Sequence, residues 1–200
     1  MKFFKKQKLN TAFTLVETLV AISIFTGAIL SLLSFSGGSV GDTNYSKNKL
    51  VATFLAQEGL EYMKNIRDTH VLFESDGWTA FRLKVAPCET GNGCYFDPNT
   101  VNYTSSAQPM KFITITECPA GVCPKLRYDN SENIAITRYN YNPSSTETNF
   151  IRKIEVRNLT NAANTIGENK EIIVVSTVYW TKGTQNYNVS FSNYLKNWAE

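Results

Sequence analysis

From residue 13 to residue 35 the chain is apolar at nearly every position, with only Ser, Thr, Gly and one acid, Glu17, set among Leu, Ile, Val, Phe and Ala. That continuity predicts a helix apolar on all sides. At 1.5 Å per residue it would span roughly 34 Å, enough for a hydrocarbon core of about 30 Å. Residues 36–42 then hold three glycines (Gly37, Gly38 and Gly41), which weaken a helix. They are either a short linker or a flexible section of one long helix, and the second reading is preferred because helical spacing resumes at once. Between residues 43 and 67, Leu50, Val51, Phe54, Leu55, Leu60, Met63 and Ile66 recur near helical spacing, with Gln57, Glu58, Glu61, Lys64 and Asn65 between them. This predicts a half-buried helix lying on a sheet, its charged residues on a solvated face.

Beyond Gly77 the period changes to two. Phe81, Leu83 and Val85 alternate with Arg82 and Lys84, and Ile113 and Ile115 alternate with threonines. Residues 134–137, 151–156, 172–180 and 187–195 read as further strands, the near-continuous apolar run 172–180 lying centrally in the sheet. The separators are rich in Asn, Ser, Thr, Gly and Pro, and the polar tracts 140–149 and 158–169 read as loops. The fold class expected is therefore α+β, a long N-terminal helix, membrane-spanning in its first half and amphipathic in its second, packed on an antiparallel sheet. The corresponding division is a leader over 1–12, a transmembrane helix over 13–36, its amphipathic continuation over 37–70 and a β-sheet domain over 71–200.

Charge sharpens the N-terminal reading. Residues 1–12 carry Lys2, Lys5, Lys6 and Lys8, and no charge but Glu17 lies between Lys8 and Asp42. The basic leader predicts a cytoplasmic N-terminus, with the rest of the chain across the membrane. The apolar run is too long for a secretory signal core, and the small residue Ala12 precedes it. A cut after Ala12 would remove the leader and keep the helix. The formal charge of +3 comes from 20 basic and 17 acidic residues, so it rests mostly on the four leader lysines and gives no argument for a nucleic-acid surface.

Glu17 calls for a partner, because a carboxylate inside hydrocarbon costs on the order of 2.5 kcal/mol or more. After cleavage at Ala12 the new Phe13 amine would be a cation one helical turn away. It could pair with Glu17 of its own chain or of a neighbour, the second setting the register of stacked helices. A plain signal anchor with a tolerated acid is the competing reading.

Ala12-Phe13-Thr14-Leu15-Val16-Glu17, continued by Thr18-Leu19-Val20-Ala21-Ile22, resembles the N-terminal signature of type IV pilins and pseudopilins. The resemblance is close over residues 8–33. It departs at Ala12, where the family usually has Gly. It implies cleavage between Ala12 and Phe13 by a prepilin peptidase that also methylates the new Phe13 amine, and assembly through Glu17. Residues 55–61 and 64–68 are similar to what many minor pilins carry after this helix, and 188–198 resembles their closing strand. The resemblance thus implies a structural subunit, a minor pilin or pseudopilin, whose partners are the peptidase, other such subunits and the inner membrane. Its folded domain would lie outside the cytoplasm, at the cell surface or in the periplasm.

Four cysteines fall in two close pairs, Cys88 with Cys94 and Cys118 with Cys123, each bracketing a turn. Beyond an export helix an even count points to disulfides, and of three connectivities the two local ones are preferred. A zinc site is the alternative, poorly matched by these spacings. The sole histidine, His70, reads as a surface or helix-end residue with no nucleophile beside it. Residues 129–133 offer oxygen ligands without EF-hand spacing and read as a turn. The sequons at Asn102, Asn158 and Asn188 are expected by chance in so Asn-rich a chain. No catalytic constellation, metal site or cofactor motif is predicted, which disfavours an anchored enzyme. A membrane-anchored binding domain that never polymerises remains the main alternative.

Overall fold

The computed structural model describes residues 14–100, 113–130, 139–158 and 171–198, with the backbone alone for 36–42. The first helix, α1 (Leu15–Phe73), is assigned without a break through Gly37, Gly38 and Gly41. The chain divides into two compact units, residues 1–46 and residues 47–200. The first holds the opening stretch of α1.

The second unit is α+β. Within it α1 buries Ala52, Leu55, Ala56, Gly59, Met63, Ile66 and His70, spaced three or four apart, and turns Leu50, Phe54, Gln57, Glu61 and Lys64 outward. That spacing puts one stripe of the helix on the sheet. Each large apolar side chain so buried contributes about 1.5–3 kcal/mol. At Gly59 the helix comes closest to the strands: a Cβ there would stand 2.6 Å from Ser176 Oγ and 2.9 Å from Ile154 Cδ1.

A second helix, α2 (Gly77–Val85), follows directly. The alternation of Phe81, Leu83 and Val85 suggests a strand, and the structure corrects this. Phe81 and Val85, one helical turn apart, are buried, Trp78 packs beside them, and Leu83 is 73% exposed. The spacing 78, 81, 85 is that of a helix face, which the two-residue alternation masks. Gly77 allows the chain to double back, since a Cβ there would fall on the His70 carbonyl.

The sheet has seven strands among the described residues: β1 (Cys94–Phe96), β2 (Ile115–Glu117), β3 (Lys125–Tyr128), β4 (Tyr139–Asn140), β5 (Thr146–Asn158), β6 (Glu171–Lys182) and β7 (Gln185–Lys196). All pairings are antiparallel. The hub is β5, which pairs with β3 and β1 on one side and β6 on the other. The apolar run 172–180 lies inside β6, an interior strand between β5 and β7. Ile113 precedes β2, and residues 134–137 lie outside the described set. The tract 140–149 is not all loop. Its second half opens β5, where Thr146 and Glu147 pair with Tyr128 and Arg127. Met63, Ile66, Phe81, Phe96, Ile154 and Ile172 are central in the core.

Candidate functional site

The helix starts at a cap. Thr14 accepts the first intrahelical bond on its carbonyl from Thr18 N–H (3.2 Å), and its Oγ1 accepts the Glu17 N–H (3.3 Å). Thr14-Leu15-Val16-Glu17 therefore has the spacing of a capping box, with Glu17 in the first turn, where the helix dipole favours an anion.

Leu15–Phe35 is long and apolar enough to cross a membrane, with mean hydropathy 2.1 and none of it buried within the chain. Leu15, Val16, Phe25, Leu30 and Phe35 are each at least 65% exposed. Four of its hydroxyls are satisfied internally. Thr18 donates to Leu15 O, Ser23 to Leu19 O, Thr26 to Ile22 O and Ser31 to Ala28 O, all at 2.8–2.9 Å. These bonds remove the cost that free hydroxyls would incur in hydrocarbon. Glu17 is the one charged side chain of the stretch, and it makes no ion pair among the described residues. The cleavage and methylation positions, Ala12 and Phe13, lie outside the described residues.

A second polar centre lies in the folded unit, and the sequence reading did not anticipate it. Arg152 is 1% exposed, and its Nη1 donates to Glu58 Oε2 at 2.8 Å across the helix–sheet interface. Its guanidinium also lies over the Phe96 ring, 5.1 Å from the centroid. Glu58, expected on a solvated face, thus anchors α1 to β5. The signal was in the strand phase: Arg152 shares the buried face of β5 with Phe150, Ile154 and Val156, so an arginine there needs an acid opposite. Beside it, burial pushes the Tyr141 hydroxyl up to about 12. The neighbouring Arg152 charge opposes that shift, and the Asp97 carboxylate adds to it.

The cysteines form two disulfides, Cys88–Cys94 and Cys118–Cys123. With the sulfurs so joined, no thiolate is left for zinc. One carboxylate ties the two loops together. Glu117 Oε1 accepts from Asn92 Nδ2 (2.7 Å) and Thr90 Oγ1 (2.8 Å), and these bonds hold its acid below the ordinary carboxylate range. The Cys118 N–H also donates to Gly93 O.

His70 is 5% exposed, at the end of α1, with Nδ1 3.1 Å from Glu74 Oε1; the surface placement is corrected to a buried helix-end pair. Asp129 and Asn130 line an open cleft with Asn142, Ser144 and Thr146, and residues 131–133 lie outside the described set, as does Asn102. Asn158 ends β5, with its amide on Glu89, and Asn188 is exposed on β7. Comparison of the chain with protein families, curated proteins and solved structures gives no match.

Proposed function

We propose that the chain is a structural subunit, a minor pilin or pseudopilin, of a type IV pilus or type II secretion-like filament. One observation carries this reading. A 21-residue apolar helix with no buried residue bears a single acid in its first turn, while the rest of the chain completes its own core without it. Such a surface calls for lipid first and for like helices afterwards. In the membrane the helix is the anchor, with its lysine-rich leader in the cytoplasm and the disulfide-bearing domain outside. A prepilin peptidase removes residues 1–12 and methylates the Phe13 amine. In the filament, Glu17 meets the Phe13 amine of a neighbouring subunit and sets the stagger between helices.

The Thr14 cap supports a second reading. It starts the helix at Thr14 and so places the Glu17 acid in the first turn, where the helix dipole favours it, as would serve a plain membrane anchor carrying a binding domain too. Mass spectrometry of the protein extracted from cells with an active prepilin peptidase separates the two. The filament reading expects an N-terminal methylated Phe13. A chain still beginning at Met1 contradicts it.

A further inference from the structure

The sheet treats its edges differently. β2 and β4, at the ends of the other branches, are three and two residues long. Very short edge strands are a usual protection against edge-to-edge association. β7 is twelve residues long, pairs with β6 alone among the described residues, and does so over its whole length without a bulge. It has no proline, and no charged residue stands between Lys182 and Lys196. Side chains on both of its faces are accessible, from Asn186, Asn188, Ser190 and Ser192 on one to Phe191 on the other. From Gln185 to Leu195, then, the edge has no lysine, proline or bulge, and no strand covers it among the described residues.

The hairpin fixes which backbone groups point outward. Lys182 and Gln185 flank the two-residue turn Gly183-Thr184, with Gly183 at φ 60°, so they form a hydrogen-bonded pair. The alternation of an antiparallel ladder then directs the N–H and C=O groups of Gln185, Tyr187, Val189, Phe191 and Asn193 to β6. Those of Asn186, Asn188, Ser190, Ser192 and Tyr194 face away from it.

We infer that β7 is a pairing edge for a second copy of this chain, joined two-fold and antiparallel to its own β7. Length selects the occupant. Among the described edges, a head-to-tail contact between copies would have to set β7 against β2 or β4, which match only a fraction of it, and only β7 matches β7 in length. Charge permits the match, since no like charges oppose along the uncharged stretch. Outward residues oppose outward residues when the axis passes through Ser190. That register sets Val189 against Phe191 of the second copy, Asn188 against Ser192, and Asn186 against Tyr194. On the face that carries Phe191 the central pair is then apolar, with Tyr187 against Asn193 and Gln185 against Leu195 farther out, and amide meets hydroxyl on the other face. The inference concerns the folded unit and does not depend on the filament reading.

Cysteine cross-linking tests it on the full-length protein in detergent. The four native cysteines are all in disulfides, so an introduced thiol is the only free one. With a mild oxidant, Ser190→Cys should give a disulfide-linked dimer. Asn188→Cys and Ser192→Cys should each remain largely monomeric alone and cross-link at least fivefold more when mixed. Ser144→Cys, on an exposed loop away from β7, is the background control. As an independent readout, Ser190→Lys should shift the parent from dimer to monomer in light scattering, and an equimolar mixture with Ser190→Glu should restore the dimer. Ser190→Cys cross-linking no better than Ser144→Cys, or a parent monomeric at every concentration tested, overturns the inference. Cross-linking of β7 thiols to a different protein overturns it in favour of a foreign strand on the same edge.

Discussion

Leu15–Phe35 and residues 47–73 belong to one α-helix, yet they treat their hydrophobic residues in opposite ways. The first stretch exposes Leu, Ile, Val and Phe on every side. The second buries Leu55, Met63 and Ile66 completely or nearly so and faces outward mostly with Gln57, Glu61 and Lys64. Their acids differ in the same sense. Glu58 has a guanidinium at 2.8 Å from a strand almost a hundred residues away, whereas the Glu17 carboxylate makes no ion pair among the described residues and only its backbone N–H meets the Thr14 cap. One stretch is completed by its own chain and the other by what surrounds it. Helix propensity does not separate the two; the pattern of apolar positions does.

The largest contrast should come from a pair of matched truncations. Met63→Ala should lower the unfolding free energy of the folded unit by about 2–5 kcal/mol, since Met63 is fully buried. Leu30→Ala, at a site 67% exposed, should change it by less than about 0.5 kcal/mol. Denaturant titration of both variants in detergent, followed by a tryptophan signal, measures the contrast. Equal losses would show that the two stretches share one core.

The acids come next. Glu58→Ala leaves the Arg152 charge buried without its partner, and the expected loss is about 3 kcal/mol, the low end for a broken buried pair because water reaches Glu58. The same titration checks it, and a loss below 1 kcal/mol would mean that the guanidinium is held by the Phe96 ring and the Leu55 carbonyl instead.

A smaller effect sharpens the account of that centre. The Tyr141 hydroxyl is held up to about 12, so the folded state keeps this proton more tightly than the unfolded chain, whose tyrosines titrate near 10. The stabilisation is fully present below pH 10 and is lost as pH rises toward 12, at about 1.4 kcal/mol per pH unit. Tyr141→Phe should flatten the stability profile between pH 10 and 12 and leave it unchanged at pH 7–9. A parent profile already flat there would remove Tyr141 from the buried centre.

How much of this was legible in the sequence depended on how local the signal was. The apolar run, the strands β5 to β7 and the cysteine pairs are each written in one contiguous stretch of about two dozen residues or fewer, and they appear as expected. What escaped was set by distant partners. Phe81-Leu83-Val85 alternates like a strand, yet Gly77 and the end of α1 turn it into a helix whose buried face also takes in Trp78. The tract 140–149 looks like loop because it is polar, and half of it becomes strand only through pairing with β3. The Arg152–Glu58 pair needs residues 94 positions apart. Its trace, an arginine in the buried phase of a strand, was legible in principle. At the N-terminus the sequence singled out Glu17 as an acid in want of a partner; the Thr14 cap, which accepts the Glu17 backbone N–H, came only with the structure.

That link gives the central claim its most direct measurement. Glu17 either pairs with the amine of a neighbouring subunit or completes the helix cap. The observed cap uses the Glu17 backbone N–H, which both Gln and Ala keep; Gln in addition keeps a side chain able to bond back to the Thr14 N–H without the charge, and Ala has neither. The measurement is the ratio of protein in sheared filaments to protein in membranes for the parent, Glu17→Gln and Glu17→Ala. With the amine left uncompensated among packed helices, at about 3–5 kcal/mol, both variants should insert normally and be depleted from filaments to a similar degree. Glu17→Gln recovered in filaments at the parent ratio, with Glu17→Ala depleted, would contradict the pairing and leave Glu17 as a helix cap.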